Sequence, residues 1–407
     1  MSQTAARPVR RRKVFYIPGY DPFPPRRYRE LYRREGAAQA EISGYVLEME
    51  GGLEAPGRFG WRVSAQMQDR VTRSEIEVLV WSDIVQDSRT GSIPGTYLAL
   101  FRTAWIYLST GALWRLMRLR KGPVIAALYP VVMLLGQLAL ATLAGWLIWQ
   151  LGTSLAPGVA LLAAGAGGLC AVLLLRWFRD RDGRIFAYYL MHDFAHSAEA
   201  RGAYPAALAE RLEVFRERVA EALASDVDEV LVVGHSSGAH LAISLLAEIL
   251  RERQAPQDGP ALGLLSLGHV VPMVGFLPQA GALRRDLSTL AVSDRLAWID
   301  VSAPGDGCCF ALCDPVAVCG QGSPEARWPL VFSAAFTKTL SAERWKRLRR
   351  RFFRLHFQYL CAFDRPGDYD YFAITAGPVS LADRYANRTP SASRITRSLS
   401  PYTDRAP

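Results

Sequence analysis

The chain has 407 residues, of which half are hydrophobic, so it can form one large domain or two ordinary ones. Lys and Arg outnumber Asp and Glu by 48 to 38, and the resulting net charge of +10 indicates an acidic neighbour, either nucleic acid or an anionic membrane surface. The basic N-terminal stretch lacks the apolar run of a secretory signal, which argues against secretion and favours a start in the cytoplasm.

The first elements predicted along the chain are a strand and a helix. The apolar run "KVFYI", 13–17, indicates a strand that ends at Pro18-Gly19, and 26–43 has a helical pattern. Two further strand-like runs, 61–66 and 75–81, follow and look like a pair.

A long uncharged segment occupies the middle of the chain. Residues 122–175 contain no Asp, Glu, Lys, Arg or His, and about 20 apolar residues suffice for one bilayer crossing. We expect two membrane-spanning helices, 124–148 and 157–177, joined by a turn in "QLGTSLAPG", 150–158. The alternative is a helical hairpin buried in a soluble core, which the absence of any charged face disfavours.

The residues that flank this segment predict its orientation. Basic side chains lie at both outer ends and place both ends in the cytoplasm: Arg115, Arg118, Arg120, Lys121, Arg176, Arg179, Arg181 and Arg184. Tryptophans mark the near interface (Trp114, Trp177) and the far one (Trp146, Trp149). We therefore expect an integral membrane protein, such as one of a bacterial-type inner membrane, whose soluble part is cytoplasmic.

The stretch 97–114 is also apolar but is interrupted by Arg102. We interpret 97–121 as an interfacial helix that lies against the membrane. The alternative is a third crossing, which would place the two halves of the chain in opposite compartments.

Strands and helices alternate again after the hairpin. Helices are predicted at 204–225 and 239–253, and strands at 229–233, 262–268, 296–302 and, more weakly, 329–336. This alternation predicts an α/β fold with a mostly parallel sheet and helices on both faces. One soluble domain is then built from 1–96 and 179–383, the hairpin occupies 122–178, and the Ser-, Arg- and Pro-rich tail 384–407 is expected to be disordered.

Four of the six cysteines lie close together in "CCFALCDPVAVC", 308–319. Their spacing matches no familiar zinc pattern, and no histidine is near them in the sequence. We expect reduced thiols that serve as small buried hydrophobes, and no metal site.

A serine stands between two glycines where a predicted strand meets a predicted helix. "GHSSG", Gly234 to Gly238, is a G-x-S-x-G motif between the apolar run 229–233 and the amphipathic helix. That context predicts a nucleophile elbow, in which Ser236 has a strained backbone and larger side chains at 234 and 238 would collide with neighbouring backbone. The alternative is a glycine-rich turn without chemistry.

In this context the chain resembles the α/β-hydrolase superfamily in its lipase- and esterase-like forms, in which a His often precedes the serine, as His235 does here. The resemblance covers about 13–83 and 200–375. It implies a catalytic triad in the order serine, acid, histidine.

The resemblance implies that His356 is the general base, because it is the one histidine after the last plausible acid-bearing strand. A basic helical stretch, 341–353, intervenes between that strand and His356, which departs from the family pattern. The alternative is a structural histidine.

The acid is expected in the loop after the penultimate strand, which offers Asp300 and Asp306. Asp300 lies within the predicted strand, so Asp306 is preferred, with Asp314 as the second choice. A solvated turn aspartate is the alternative for Asp306.

Two backbone amides are expected to form the oxyanion hole, those of Ser237 and, by resemblance, Tyr20 in the loop 15–25. Asp21 is interpreted as a turn or cap residue. Since Tyr20 precedes the hairpin and Ser236 follows it, the site requires an even number of membrane crossings.

The stretch 342–355 carries seven basic residues and one apolar stripe of Trp345, Leu348, Phe352 and Leu355. It is either a helix attracted to anionic lipid headgroups or an ordinary amphipathic helix with a solvated basic face. Nucleic-acid binding is not expected, since no recognised module accompanies the charge.

These patterns together predict a membrane-anchored serine hydrolase that acts on a lipid or another hydrophobic ester, without a metal or organic cofactor. Two alternatives remain. A lipid alcohol in place of water would make the protein an acyltransferase, and a scaffold without activity would make it a membrane-tethered binding module.

Overall fold

The computed structural model describes residues 8–21, 24–53, 57–88, 92–252, 254–255 and 258–406. The first seven residues, on which the expectation about a secretory signal partly depends, lie outside these ranges. Eight strands form one sheet: β1 (Arg11–Ile17), β2 (Val46–Gly52), β3 (Phe59–Met67), β4 (Arg70–Val78), β5 (Glu229–His235), β6 (Ala261–Leu267), β7 (Ala297–Ser302) and β8 (Leu330–Ser333).

The sheet is mostly parallel, in the order β2-β3-β4-β1-β5-β6-β7-β8. β3 runs antiparallel to both of its neighbours, and the other neighbouring pairs are parallel. After β1 the chain crosses to the edge strand β2 and returns through β3 and β4 to the side of β1, whereas from β5 it builds strand by strand towards the other edge. In such sheets a ligand site forms at the carboxyl ends of the two strands where the direction of winding reverses, here β1 and β5.

Helices cover both faces of the sheet over two hydrophobic cores. Within the described residues they are α1 (Arg26–Ser43), α2 (Ser82–Ser88), α3 (Ile93–Ser109), α4 (Ala112–Leu119), α5 (Lys121–Leu155), α6 (Ala160–Asp180), α7 (Asp182–Ile185), α8 (Ala187–Glu199), α9 (Ala206–Leu223), α10 (Gly238–Arg251), α11 (Val271–Gly275), α12 (Gly281–Val292), α13 (Pro315–Val318), α14 (Phe336–Thr339), α15 (Ala342–Leu348), α16 (Phe352–His356), α17 (Tyr371–Ala376) and α18 (Leu381–Arg384).

The fold class and most of the elements predicted from the sequence are confirmed. All seven predicted strands are present, and the pair expected at 61–66 and 75–81 is formed by β3 and β4, which the structure shows to be antiparallel. β2 was missed. It is a largely exposed edge strand that ends in two glycines, and its alternation of Leu47 and Met49 with Glu48 and Glu50 covers only four residues.

The uncharged segment forms a helical hairpin of α5 and α6. Both helices are long and apolar enough to cross a membrane, with mean hydropathies of 2.1 and 1.8, and most of their side chains are exposed. The two backbones approach closely at Gly145 and Gly167, where a Cβ on either residue would lie within 2.7 Å of the other's carbonyl oxygen. Small residues at such a crossing are typical of membrane helix pairs.

The predicted turn at 150–158 is shifted. α5 continues to Leu155, and the chain reverses at Ala156 and the short 3-10 turn Pro157–Val159. The hydroxyls of Thr153 and Ser154 donate to backbone carbonyls of the preceding turn, which keeps these polar residues compatible with the helix.

Two further expectations are corrected. The apolar stretch 97–114 is part of two helices, because Gly111 adopts a left-handed conformation that separates α3 from α4. The tail beyond residue 384 was expected to be disordered but packs on the domain: Ile395 bridges to Cys313, Leu399 is buried, and Asp404 pairs with the buried Arg284 at 2.9 Å. The composition of the tail by itself indicates disorder, but its few apolar residues and this ion pair hold it on the domain.

Candidate active site

The G-x-S-x-G segment forms a tight turn between β5 and α10. Ser236 has a φ of +57°, in the left-handed region that non-glycine residues rarely adopt. A Cβ on Gly234 would lie 2.7 Å from Ala239 Cα, and one on Gly238 would lie 2.2 Å from the Ile17 carbonyl oxygen. Larger side chains at both positions would therefore collide with backbone, as the motif predicts.

The loop after β1 presses against this turn. A Cβ on Gly19 would lie 2.9 Å from Ser236 Cβ and 3.4 Å from its Oγ. On the other side, the Ser236 amide donates to the Leu267 carbonyl over 2.9 Å, at the end of β6. The serine is thus fixed between the carboxyl ends of β1 and β6, with its side chain partly accessible.

His356 and Asp306 form a buried pair beside the turn. His356 Nδ1 lies 2.7 Å from Asp306 Oδ2, and Asp306 also accepts hydrogen bonds from the Cys308 amide and the Tyr359 hydroxyl. Burial raises the pKa of Asp306, but the adjacent His356 ring and the hydrogen bonds from His356, the Cys308 amide and the Cys309 thiol outweigh it, so the pKa lies below its usual value. The carboxylate is therefore ionised at neutral pH.

The imidazole of His356 lies directly against the serine turn. Its ring centroid is 4.7 Å from that of His235, and its Cε1 lies 3.2 Å from the position of a Cβ on Gly268, next to the residue that accepts from Ser236. Nε2 of His356 is buried and has no hydrogen-bond partner among the described residues. One ring nitrogen is thus fixed by a carboxylate, while the other remains available.

His235 packs against His356 and helps to hold it in place. Burial, with a smaller contribution from the charge of His356, lowers the pKa of His235 to about 3, so its ring is neutral. Its Nε2 donates to the His356 backbone carbonyl over 3.0 Å. The residue before the serine therefore holds the backbone of the histidine.

The two other candidate acids have structural partners. Asp300 is buried within β7 and accepts from the Ser266 hydroxyl at 2.6 Å. Asp314 caps α13 by accepting from the amides of Val316 and Ala317, both at 3.0 Å. The structure therefore places Asp306, and neither of the alternatives, in contact with His356.

The Tyr20 amide, expected to be an oxyanion donor, is already engaged. It donates to Ser237 Oγ over 2.8 Å, and the Tyr20 carbonyl accepts from the Tyr189 hydroxyl. The neighbouring Asp21 accepts from Tyr28 at 2.7 Å and thus connects the loop to α1. The loop after β1 is therefore tied to α8, α10 and α1 at once.

Sequence reasoning missed Tyr359 and the contribution of α8. Tyr359 also accepts from the Ala303 amide at 2.9 Å, so it holds the loop that carries Asp306. Its position three residues after His356, on the next helical turn, is the one signal that could have indicated it. Nothing in the sequence places Tyr189 over Tyr20, because that contact joins segments 169 residues apart.

A small cavity of about 20 Å³ lies beside Tyr20 and Ser237, large enough for one water molecule. Titratable side chains of α8 and α10 line it, namely Asp193, His196 and His240. Burial raises the pKa of Asp193 to about 7 and lowers that of His240 to about 3.

The cysteine cluster lies next to the acid loop as free thiols. Cys309, Cys313 and Cys319 are buried, as expected of small hydrophobic residues, and Cys308 is half-buried. Burial raises the pKa of all four thiols. In the part of the chain that the structure describes, no group of His, Cys, Asp and Glu is arranged to hold a metal ion.

Comparison of the chain with known proteins identified no relative. No family model matches the sequence, and the searches of curated proteins and of solved structures found no match either.

Proposed function

We propose that this chain is a membrane-anchored serine hydrolase of the α/β-hydrolase type, which cleaves a carboxylic ester through an acyl-enzyme on Ser236. The observation that carries the proposal is the strained serine turn in contact with the buried Asp306–His356 pair, whose Nε2 is unpaired. This is the arrangement in which a carboxylate orients a histidine and the histidine activates a hydroxyl.

The unpaired Nε2 of His356 points to a function because burying it without a hydrogen bond lowers the stability of the fold. A buried polar atom without a hydrogen bond destabilises the fold by roughly 1–3 kcal/mol, and left-handed backbone at a serine costs about 1–2 kcal/mol more. Two such features side by side, at the switch point of the sheet, are expected where function requires them.

In the first half of the reaction, Ser236 Oγ attacks the ester carbonyl carbon while His356 Nε2 accepts the hydroxyl proton. Asp306 stabilises the resulting imidazolium through the hydrogen bond at Nδ1. As the tetrahedral intermediate collapses, the imidazolium returns its proton to the departing alcohol oxygen, and the acyl group remains on Ser236.

The oxyanion requires two donors. The Ser237 amide, at the start of α10, supplies one of them and benefits from the positive end of the helix. Because the Tyr20 amide donates to Ser237 Oγ, the proton of the Ser237 hydroxyl remains free to donate to the oxyanion. Tyr20 then acts on the oxyanion through this hydroxyl. This replaces the direct Tyr20 contact expected from the sequence.

In the second half, a water molecule takes the place of the alcohol. His356 accepts its proton, the hydroxide attacks the acyl carbon, and the carboxylic acid leaves as the proton returns to Ser236 Oγ. Both halves of the reaction use His356 as the base and the same hydrogen-bond donors to the oxyanion, so the proposed mechanism requires neither a metal nor an organic cofactor.

The hairpin α5–α6 crosses the membrane in this proposal, and both of its outer ends are cytoplasmic. Two observations support it: the outer ends carry the basic residues, and the hairpin side chains are mostly exposed rather than buried in a core. An even number of crossings leaves the loop of Tyr20 and the turn of Ser236 on the same side.

The test is hydrolysis of short- and long-chain esters by the full-length protein in nanodiscs. We expect Ser236→Ala to abolish turnover, while Ser225→Ala, which changes a serine at the opposite end of the sheet, retains it. Turnover by Ser236→Ala equal to wild type would reject the proposal. Products measured with and without added lipid alcohols separate hydrolysis from acyl transfer, and full cellular function of Ser236→Ala would favour a binding scaffold.

A further inference from the structure

α3 has an apolar face that the rest of the described chain leaves uncovered. Its inner face packs on α5 and α8, where the Tyr97 hydroxyl donates to the Leu134 carbonyl over 2.9 Å. Its outer face carries an apolar stripe at three- and four-residue spacing, and Trp105 there is 71% exposed. The stripe consists of Leu98, Phe101, Trp105 and Leu108.

The position of α3 along the hairpin gives the depth of this stripe. The Tyr129 hydroxyl of α5 donates to the carbonyl of Ile185, just beyond α6, and Tyr97 of α3 contacts α5 at Leu134. Tyr129 and Leu134 are five residues apart, about 7.5 Å along a helix. The first turn of α3 therefore lies about 7.5 Å further along the hairpin than the basic end of α6, where headgroups are expected.

A second exposed aromatic pair lies at the hairpin base, on α16. Phe352 is 58% exposed and lies near Gly307, where a Cβ would be 3.6 Å from the Phe352 ring. A Cβ on Gly122, at the start of α5, would in turn lie 3.3 Å from the Gly307 carbonyl oxygen. Phe353 packs against Phe186, which follows the hairpin, with ring centroids 5.6 Å apart and the rings tilted by 45°. Six exposed basic residues adjoin the pair: Lys346, Arg347, Arg349, Arg350, Arg351 and Arg354.

The α15–α16 segment is therefore not the single amphipathic helix expected from its sequence. It breaks at 349–351, so that Leu355 is buried against the core while Phe352 points outward. If this segment were an ordinary amphipathic helix packed on the core, its whole apolar stripe, including Phe352, would be buried. Exposed phenylalanines beside a basic face, next to two apolar helices, match the chemistry of an anionic lipid surface.

We propose that the α3 stripe together with Phe352 and Phe353, which we call the collar, is embedded at the headgroup–acyl boundary of the leaflet that holds the hairpin base. The ester that reaches Ser236 is then carried by a lipid of that leaflet. The collar's membrane contact depends on the hairpin crossing the bilayer, and the substrate class depends on the hydrolase activity proposed above.

Short links connect the collar to the site. Tyr189, in the first turn of α8, donates to the carbonyl of Tyr20 in the loop beside Ser236. On the other side, Phe353 precedes His356 by three residues on the same helix. The elements that carry the collar therefore adjoin the residues that frame the site, so that a lipid ester at the boundary does not have to leave the membrane to reach them.

The collar is tested by nitroxide labels in vesicles of neutral and anionic phospholipids, with wild-type protein treated identically to subtract native cysteines. We expect labels at Phe101→Cys, Trp105→Cys and Phe353→Cys to be more accessible to oxygen than to a water-soluble nickel chelate. Val71→Cys is the matched control, since Val71 is 56% exposed at the opposite end of the sheet and should behave as in water. Water-like accessibility at 105 and 353 would overturn the collar.

The substrate class is tested on the double variant Phe101→Ser/Trp105→Ser, with Val71→Ser as control. We expect at least a 10-fold loss of turnover on a long-chain lipid ester in vesicles and less than a 2-fold change on a water-soluble short-chain ester. Equal effects on both esters, or a wild-type protein that cleaves the soluble ester alone, would reject a lipid substrate. A wild-type protein that cleaves neither contradicts the hydrolase proposal, and the accessibility data then judge the collar separately.

Discussion

Replacing Asp306 with Asn tests the proposed triad at the contact that orients its base. Asp306 Oδ1 accepts the Cys308 amide over 2.9 Å, and Oδ2 accepts from His356 Nδ1 over 2.7 Å. An asparagine has one carbonyl oxygen, and if that oxygen keeps the Cys308 amide, the side-chain NH2 faces Nδ1. The imidazole must then carry its proton on Nε2, where it can no longer accept one from Ser236.

The expected loss follows from this tautomer change. In serine triads the corresponding substitution lowers kcat by about 10⁴-fold, equivalent to about 5 kcal/mol of transition-state stabilisation. The assay is kcat and KM on a water-soluble ester, with circular dichroism to verify folding. Asp314→Asn is the matched control, because asparagine also caps a helix well and activity should stay within about 3-fold. More than a tenth of wild-type kcat in Asp306→Asn, or an equal loss in Asp314→Asn, would refute the reasoning.

Three further outcomes are expected. Ser236→Gly should raise the thermal midpoint while abolishing turnover, since glycine adopts a φ of +57° without the left-handed cost of about 1–2 kcal/mol; a lower midpoint would contradict the strain argument. Burial, and to a smaller extent the charge of His356, lowers the pKa of His235 to about 3 and keeps the folded ring neutral. Below pH 6.5 the unfolded protein therefore takes up a proton that the folded protein does not. The free energy of unfolding then falls by about 1.4 kcal/mol per pH unit between pH 6.5 and pH 3. His235→Asn should therefore show a smaller drop in thermal midpoint between pH 7 and pH 5 than wild type, and an unchanged drop would argue against a buried neutral ring. Gly145→Leu should destabilise the hairpin in detergent, whereas Gly165→Leu, whose Cβ meets nothing within 4 Å, should not; equal midpoints would exclude close packing at Gly145.

Local patterns were enough to predict the parts of the site that depend on short-range sterics. The serine turn is encoded by two glycines between a buried strand and an amphipathic helix, and the collisions found at Gly234 and Gly238 are those the motif predicts. The order serine, acid, histidine that the family resemblance implies then indicated Asp306 and His356, which the structure places 2.7 Å apart.

Contacts between distant segments could not be predicted in this way. The engagement of the Tyr20 amide by Ser237 depends on how two loops from neighbouring strands meet, and no periodicity encodes that meeting. The ordered tail has the same origin, because Ile395 and Asp404 are stabilised by partners more than 80 residues away. Composition reports only the tail's own low hydrophobicity.

The most direct test of the central claim is to treat the full-length protein in nanodiscs with a fluorophosphonate and to locate the adduct by peptide mass spectrometry. We predict one adduct, on Ser236, that is lost in Ser236→Ala and forms far more slowly in His356→Gln. An adduct on another residue, or no adduct while a control serine hydrolase in the same sample reacts, would contradict the account.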